Sequence, residues 1–314
     1  MKYKKLFKRT GRVFLGLFLL MNFVAFFHAY KFTHFSNTTE AKTKSEKLSF
    51  GGKMKALFLG INNPRPENKT KPRRAYETII LQSNKKIECW LIKSDSSKGT
   101  VILFHGYGGE KSSSLSLADV FLDMGYNTLL VDFMGSGGSE GNQTTIGFKE
   151  AKEVKTCYDH ILSTGEKNVY LFGTSLGAAA ILKSINDYAL SPAGIILECP
   201  FGSLYKTTCA RFRSMGVPGF PMAGLLVFWG GVQNGFWAFS YAPEVYAKKV
   251  TCPALLFYGE KDERVTRKET DIIYANMKGK KRLVTFPLAG HENYLNRYAD
   301  EWKQEVVQFL EAIN

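Results

Sequence analysis

Cysteine is scarce in this chain and poorly placed for a cluster. The five (Cys89, Cys157, Cys199, Cys209 and Cys252) include no CxxC pair and no histidine companion, which argues against zinc. Their odd number and scatter through apolar segments fit buried thiols, although Cys199 and Cys209 could pair in an oxidising compartment and the sequence leaves that open. There is no internal repeat, no heptad pattern and no glycine-rich phosphate loop, so neither cofactor nor metal is expected. The balance is basic, with 42 Lys+Arg against 28 Asp+Glu, yet no basic-aromatic motif or nucleic-acid module accompanies it. Nucleic acid is therefore not an expected partner.

Acidic residues are missing from the first twelve positions, where Lys2, Lys4, Lys5, Lys8, Arg9 and Arg12 stand. Charge of either sign is missing from residues 13–30, VFLGLFLLMNFVAFFHAY, in which Asn22 and His28 are the clearly polar side chains. As a helix this run spans roughly 27 Å, close to the thickness of a bilayer's hydrocarbon core. It exceeds the usual apolar length of a cleaved signal peptide, and no small-x-small cleavage site follows. We read 1–12 as a basic flank and 13–30 as an uncleaved transmembrane signal anchor. The flank then stays cytoplasmic and the rest of the chain lies on the extracytoplasmic side. Asn37, Asn68 and Asn142 each begin an N-x-T sequon, relevant only if the source glycosylates secreted proteins.

Residues 31–75 form a linker. Its 36–49 stretch is a polar spacer, and Met54, Leu57, Phe58 and Ile61 sit at helical spacing, as in a short amphipathic helix. Pro64, Pro66 and Pro72 keep the chain extended into a globular region over 76–314. There 77–82 and 86–93 read as a hairpin, and 100–104, 127–131, 194–197, 253–259 and 282–286 as further strands. Helical patterns fall between them, as over 150–163. Strands alternating with helices call for a mostly parallel sheet covered on both faces.

The centre of this region is 168–180, NVYLFGTSLGAAA. An apolar strand runs into Gly173-Thr174-Ser175-Leu176-Gly177, and a helical pattern follows at once. That is the nucleophile elbow, a turn tight enough to strain the serine backbone and hold its hydroxyl at the mouth of a sheet. Downstream, Glu260-Lys261-Asp262-Glu263 follows one strand and Gly290-His291-Glu292 the last one, giving the order serine, acid, histidine.

On these residues the chain resembles the α/β-hydrolase superfamily over about 76–313, and within it membrane-anchored serine aminopeptidase-like and monoacylglycerol-lipase-like members. The resemblance implies an α/β fold with a small cap insertion. It makes Ser175 the nucleophile, His291 the general base then acid, and Asp262 the orienting carboxylate. Glu198, after the preceding strand, is the alternative acid. His105-Gly106-Tyr107-Gly108-Gly109 is similar to the family's oxyanion loop, so the backbone N–H groups of Tyr107 and Leu176 are the expected oxyanion donors; His105 itself is expected to be structural. Asp132-Phe133-Met134-Gly135-Ser136-Gly137 departs from the family's pattern by placing Met134 where an arginine is common, and Asp132 is read as a loop-fixing residue.

The cap is expected over 200–243, with many glycines, prolines and aromatics between residues 215 and 237. This composition suits a flexible lid over an acyl chain, or aromatics that simply pack the cap down, or a lid touching the membrane. No acidic residue occurs between Pro200 and Tyr241, where an aminopeptidase would want one for its substrate's ammonium. The expected activity is a membrane-anchored serine hydrolase cleaving an ester, thioester or amide through an acyl-enzyme, with a small-molecule or acyl-lipid substrate. Acyl transfer, peptidase action and a non-catalytic tethered scaffold are the alternatives. Oligomeric state is not legible.

Overall fold

The structure is a computed structural model that describes residues 2–37, 49, 51, 52, 56 and 60–313. Most of the polar spacer and of the amphipathic helix expected over 48–61 lies outside the described residues.

Helix α1 (Lys2–Thr33) is longer at both ends than the apolar run that predicts it. It is long and apolar enough to cross a membrane, and most of its window stays exposed. Its C-terminal end and the residues just after it are tied by backbone hydrogen bonds to the globular region (Phe35 N donates to Asn142 O at 2.7 Å and Thr144 N to Thr33 O at 2.9 Å) and to the linker (Ser36 N to Asn63 O at 2.9 Å).

Eight strands form one sheet: β1 (Tyr76–Gln82), β2 (Lys86–Ile92), β3 (Thr100–Phe104), β4 (Asn127–Val131), β5 (Val169–Thr174), β6 (Gly194–Glu198), β7 (Ala254–Gly259) and β8 (Lys281–Phe286). Their spatial order is β1-β2-β4-β3-β5-β6-β7-β8. The pairs β1–β2 and β2–β4 are antiparallel and the remainder parallel. Strands β3, β6 and β7 are buried throughout, as expected for parallel strands covered on both faces.

Alternation along each strand separates two cores. On one face Ile102, Phe104 and Leu171 pack with Val154, Cys157 and Ile161 of α3 (Glu150–Ser163) and Ile181 of α4 (Leu176–Tyr188). On the other, Val101, Leu103 and Phe172 meet Phe121 of α2 (Leu115–Asp123) and Trp302 and Val306 of α9 (Ala299–Glu311). Fully buried Trp302 sets its ring against Phe121, Phe172 and Phe257.

Between β6 and β7 stand α5 (Leu204–Ser214), α6 (Met222–Asn234) and the single turn α7 (Pro243–Tyr246). A regular thirteen-residue helix over Met222–Asn234 differs from the irregular, flexible segment expected there. The glycines that argue against a helix are overridden by packing: a Cβ on Gly231 would lie 2.5 Å from Phe236 O. Helix α8 (Arg267–Asn276) follows β7 and starts on a capping box between Thr266 and Glu269.

Candidate active site

The local geometry at Ser175 follows from its glycines. Ser175 takes φ 53° and ψ −106°, a left-handed conformation that a serine rarely adopts. The turn closes because Gly173 and Gly177 have no side chain. A Cβ on Gly177 would fall 2.3 Å from Phe104 O, and one on Gly173 2.6 Å from Ala178 N. The elbow thus lets α4 lie directly against β3.

Three of the residues singled out in the sequence are brought together. Ser175 Oγ donates to His291 Nε2 at 2.9 Å, and His291 Nδ1 donates to Asp262 Oδ2 at 2.7 Å. The other carboxylate oxygen of Asp262 accepts from Arg264 N at 2.7 Å and Val265 N at 2.9 Å. With its side chain fully buried, the carboxylate is fixed by backbone donors and aimed at the imidazole. Cys199 Sγ lies 4.0 Å from His291 Nε2. Burial pushes the Cys199 thiol well above its ordinary value, so it stays protonated beside the ring. Donor atoms of Cys199, Asp262 and His291 lie within 4.8 Å of one another. Two of the three are already engaged with each other and the third is held as a thiol, a set that suits a hydrogen-bonded relay better than a cation.

Glu198, the alternative acid, is not part of this chain of contacts. It is fully buried, Oε1 accepts from Trp302 Nε1 at 2.8 Å and Oε2 from Thr174 Oγ1 at 3.0 Å. Burial pushes its carboxyl up to about 7, with the Trp302 and Thr174 bonds pulling it partly back. His105 is likewise engaged elsewhere: Nδ1 donates to Gly106 O at 2.8 Å and Nε2 accepts from Phe133 N at 3.2 Å. Both ring nitrogens serve loop structure, and burial lowers its pKa, which keeps it neutral.

The loop expected to carry an oxyanion donor runs beside the elbow, since a Cβ on Gly106 would lie 3.7 Å from Ser175 Cβ. Leu176 opens α4, where backbone N–H groups have no carbonyl of their own helix to bond. The hydroxyl of Tyr107 donates to Phe32 O at 2.7 Å and accepts from Asn63 Nδ2 at 2.8 Å, so this loop is held against the end of α1. Asp132 fixes its own loop, accepting from Lys111 N at 2.6 Å, Asn68 Nδ2 at 2.8 Å and Gly138 N at 2.8 Å. The cation that pairs with it is buried Lys111, which also reaches Glu88 at 2.7 Å. The charge that fixes this loop thus comes from a lysine about twenty residues upstream of Asp132.

Ser175 and His291 face a cavity of about 400 Å³, within the range of ligand pockets. Its walls come from the cap (Phe201, Leu204, Met222, Leu226) and from the end of α1 (Ala29, Phe32). Among the described residues that line it, Arg211 and Arg264 carry charge and none is a carboxylate. Neither the α1 wall nor the two arginines is legible in the sequence, because each depends on contacts far apart in the chain.

Comparison with known proteins agrees with this architecture. The model of the family described as serine aminopeptidase, S33, matches residues 95–223. The Bacillus subtilis protein YqkD is 23% identical over 232 residues, covering 73% of this chain and 76% of that protein. The zebrafish (Danio rerio) lysophosphatidylserine lipase ABHD12 is 27% identical over 183 residues, covering 55% of this chain and 46% of the lipase. Among solved structures, the Pyrococcus furiosus esterase Pf2001 superposes with a TM-score of 0.67 at 22% identity, over 80% of this chain and 97% of the esterase. Fold and matches together support a hydrolase. The fold is that of the α/β-hydrolases, and the matches support membership of that superfamily.

Proposed function

We propose that the protein is a membrane-anchored serine hydrolase that cleaves acyl esters through an acyl-enzyme. The observation that carries this reading is the unbroken relay from Ser175 Oγ through His291 to Asp262, at 2.9 Å and 2.7 Å. His291 takes the serine proton as Oγ attacks the carbonyl, and the Tyr107 and Leu176 N–H groups hold the oxyanion. The imidazolium then protonates the leaving alcohol. Water enters, His291 removes its proton, and the acyl–Oγ bond breaks to free the acid and restore Ser175. Asp262 keeps Nδ1 protonated and stabilises the imidazolium without itself taking a proton. Helix α1 is the anchor, and its basic flank favours a cytoplasmic N-terminus with the globular region on the other side.

An ester is preferred to a peptide with a free amino terminus because the described residues lining the cavity include arginines and no carboxylate. The test is hydrolysis of p-nitrophenyl acyl esters by the full chain in detergent. Ser175→Ala and Asp262→Asn each lose on the order of 10⁴-fold or more in kcat. Unchanged turnover in a folded Ser175→Ala protein sinks the reading.

A further inference from the structure

The end of α1 takes part in the site as well as holding the protein to a membrane. His28, Ala29, Phe32 and Thr33 line the same cavity as Ser175 and His291. The Phe32 carbonyl accepts the hydroxyl of Tyr107 at 2.7 Å, which ties this wall to the loop beside the nucleophile. On its other side the helix is clamped to the cap: Trp229 Nε1 donates to Asn22 Oδ1 at 3.1 Å, and Gln233 Nε2 to Phe26 O at 2.8 Å. The Phe26 and Trp229 rings pack edge to face at 5.3 Å.

Depth identifies the occupant. Counted from Val13, a hydrocarbon core of about 30 Å takes up about 20 residues of helix, to the neighbourhood of Phe32. The contacts at Asn22 and Phe26 then fall inside the bilayer, where polar side chains turn toward protein partners, as these do. Helix α6 is uncharged over its whole length and presents Phe228 and Val232 outward beside the exposed α1 side chains. The cavity is thus walled by two helices at membrane depth.

Resting on the reading of Ser175 as nucleophile, we infer that the last turns of α1, through Ala29 and Phe32, form the specificity-determining wall of an acyl-chain pocket. The substrate class is an ester with a single aliphatic acyl chain dissolved in the membrane. The anchor is thereby a part of the binding site that sets chain-length preference.

The experiment uses the full chain in detergent and compares kcat/KM for p-nitrophenyl decanoate and butanoate, alongside labelling of Ser175 by a short-tailed fluorophosphonate. Ala29→Trp fills the pocket, and the decanoate-to-butanoate ratio should fall about tenfold or more, since each methylene in an apolar pocket is worth a substantial factor. Phe32→Ala widens it and should shift the ratio the opposite way. Leu19→Trp, on the lipid-facing part of α1 at 58% exposure, should leave the ratio at its wild-type value. If Ala29→Trp unfolds the protein, Phe32→Ala decides. Wild-type ratios in the folded pocket variants, with short-probe labelling intact, overturn the inference alone. Absence of labelling in the folded wild type overturns the nucleophile reading and the inference with it.

Discussion

Glu198 provides a quantitative test of how the strand leading into Ser175 is supported. Its carboxyl is fully buried at the end of β6, and its hydrogen bonds come from the neutral donors Trp302 and Thr174. Burial raises it from an ordinary 4.5 to about 7. Below pH 4.5 folded and unfolded chains both hold the proton, and the group has no pH-dependent effect. Between there and about 7 the folded chain keeps a proton that the unfolded chain has lost, so stability falls as pH rises. Above 7 the folded protein carries a buried carboxylate, at a cumulative cost of about 3 kcal/mol.

Glu198→Gln removes that cost with little change of shape: Oε1 still accepts from Trp302, and the new NH₂ donates to the Thr174 hydroxyl. Urea unfolding in detergent, followed by tryptophan fluorescence, should show little gain near pH 4.5 and a gain approaching about 3 kcal/mol by pH 8. The same variant should keep kcat within about tenfold of wild type, against the loss on the order of 10⁴-fold expected for Asp262→Asn. A wild-type-to-variant difference that is flat from pH 5 to pH 8 refutes the reasoning.

Two further outcomes follow from packing and charge. Gly177→Ala forces a Cβ to within 2.3 Å of the Phe104 carbonyl oxygen and should cost at least about 2 kcal/mol in urea unfolding, with activity falling as the elbow shifts. Lys111→Met strands the buried carboxylate of Asp132 and should destabilise by about 3–5 kcal/mol at neutral pH. Burial alone pushes Asp132 upward, but the Lys111 charge and the hydrogen bonds from Lys111 and Asn68 outweigh it and hold the carboxyl below its ordinary value. The stabilisation is therefore present above that ordinary value and lost as pH falls through the lowered one. The gap between wild type and Lys111→Met should accordingly shrink on acidification in the same unfolding assay.

Much of the fold is legible in the sequence because its strands are short apolar runs with clear boundaries. The parallel ones, such as 254–259 (ALLFYG) and the Val-Ile-Leu-Phe run that closes 100–104, are near-continuous apolar runs, as suits strands buried on both faces. The elbow is legible because its glycines are demanded by backbone contacts a few residues away. Asp262 and His291 become visible as partners of Ser175 because each follows a recognisable strand. The α2 segment carries a helical pattern in Leu117, Phe121 and Leu122 that a strand-by-strand reading passes over. Other features depend on tertiary contacts with no local signature. Helix α6 reads as irregular from its glycines, of which Gly231 makes sense only once residues 236–238 pack on it. Lys111 pairs with Asp132 inside the protein, and nothing in its sequence neighbours announces a buried cation. The α1 wall is the extreme case, since Ala29 reads as one more residue of the apolar run and Phe32 as the start of the linker until the cavity beside Ser175 is in view.

The most direct test of the nucleophile is fluorophosphonate labelling of the full chain in detergent, with the adduct located by peptide mass spectrometry. A single adduct on Ser175 that disappears in Ser175→Ala and is lost or nearly lost in His291→Ala is the expected result. A folded wild type that takes up no probe, or carries it on another residue, contradicts it.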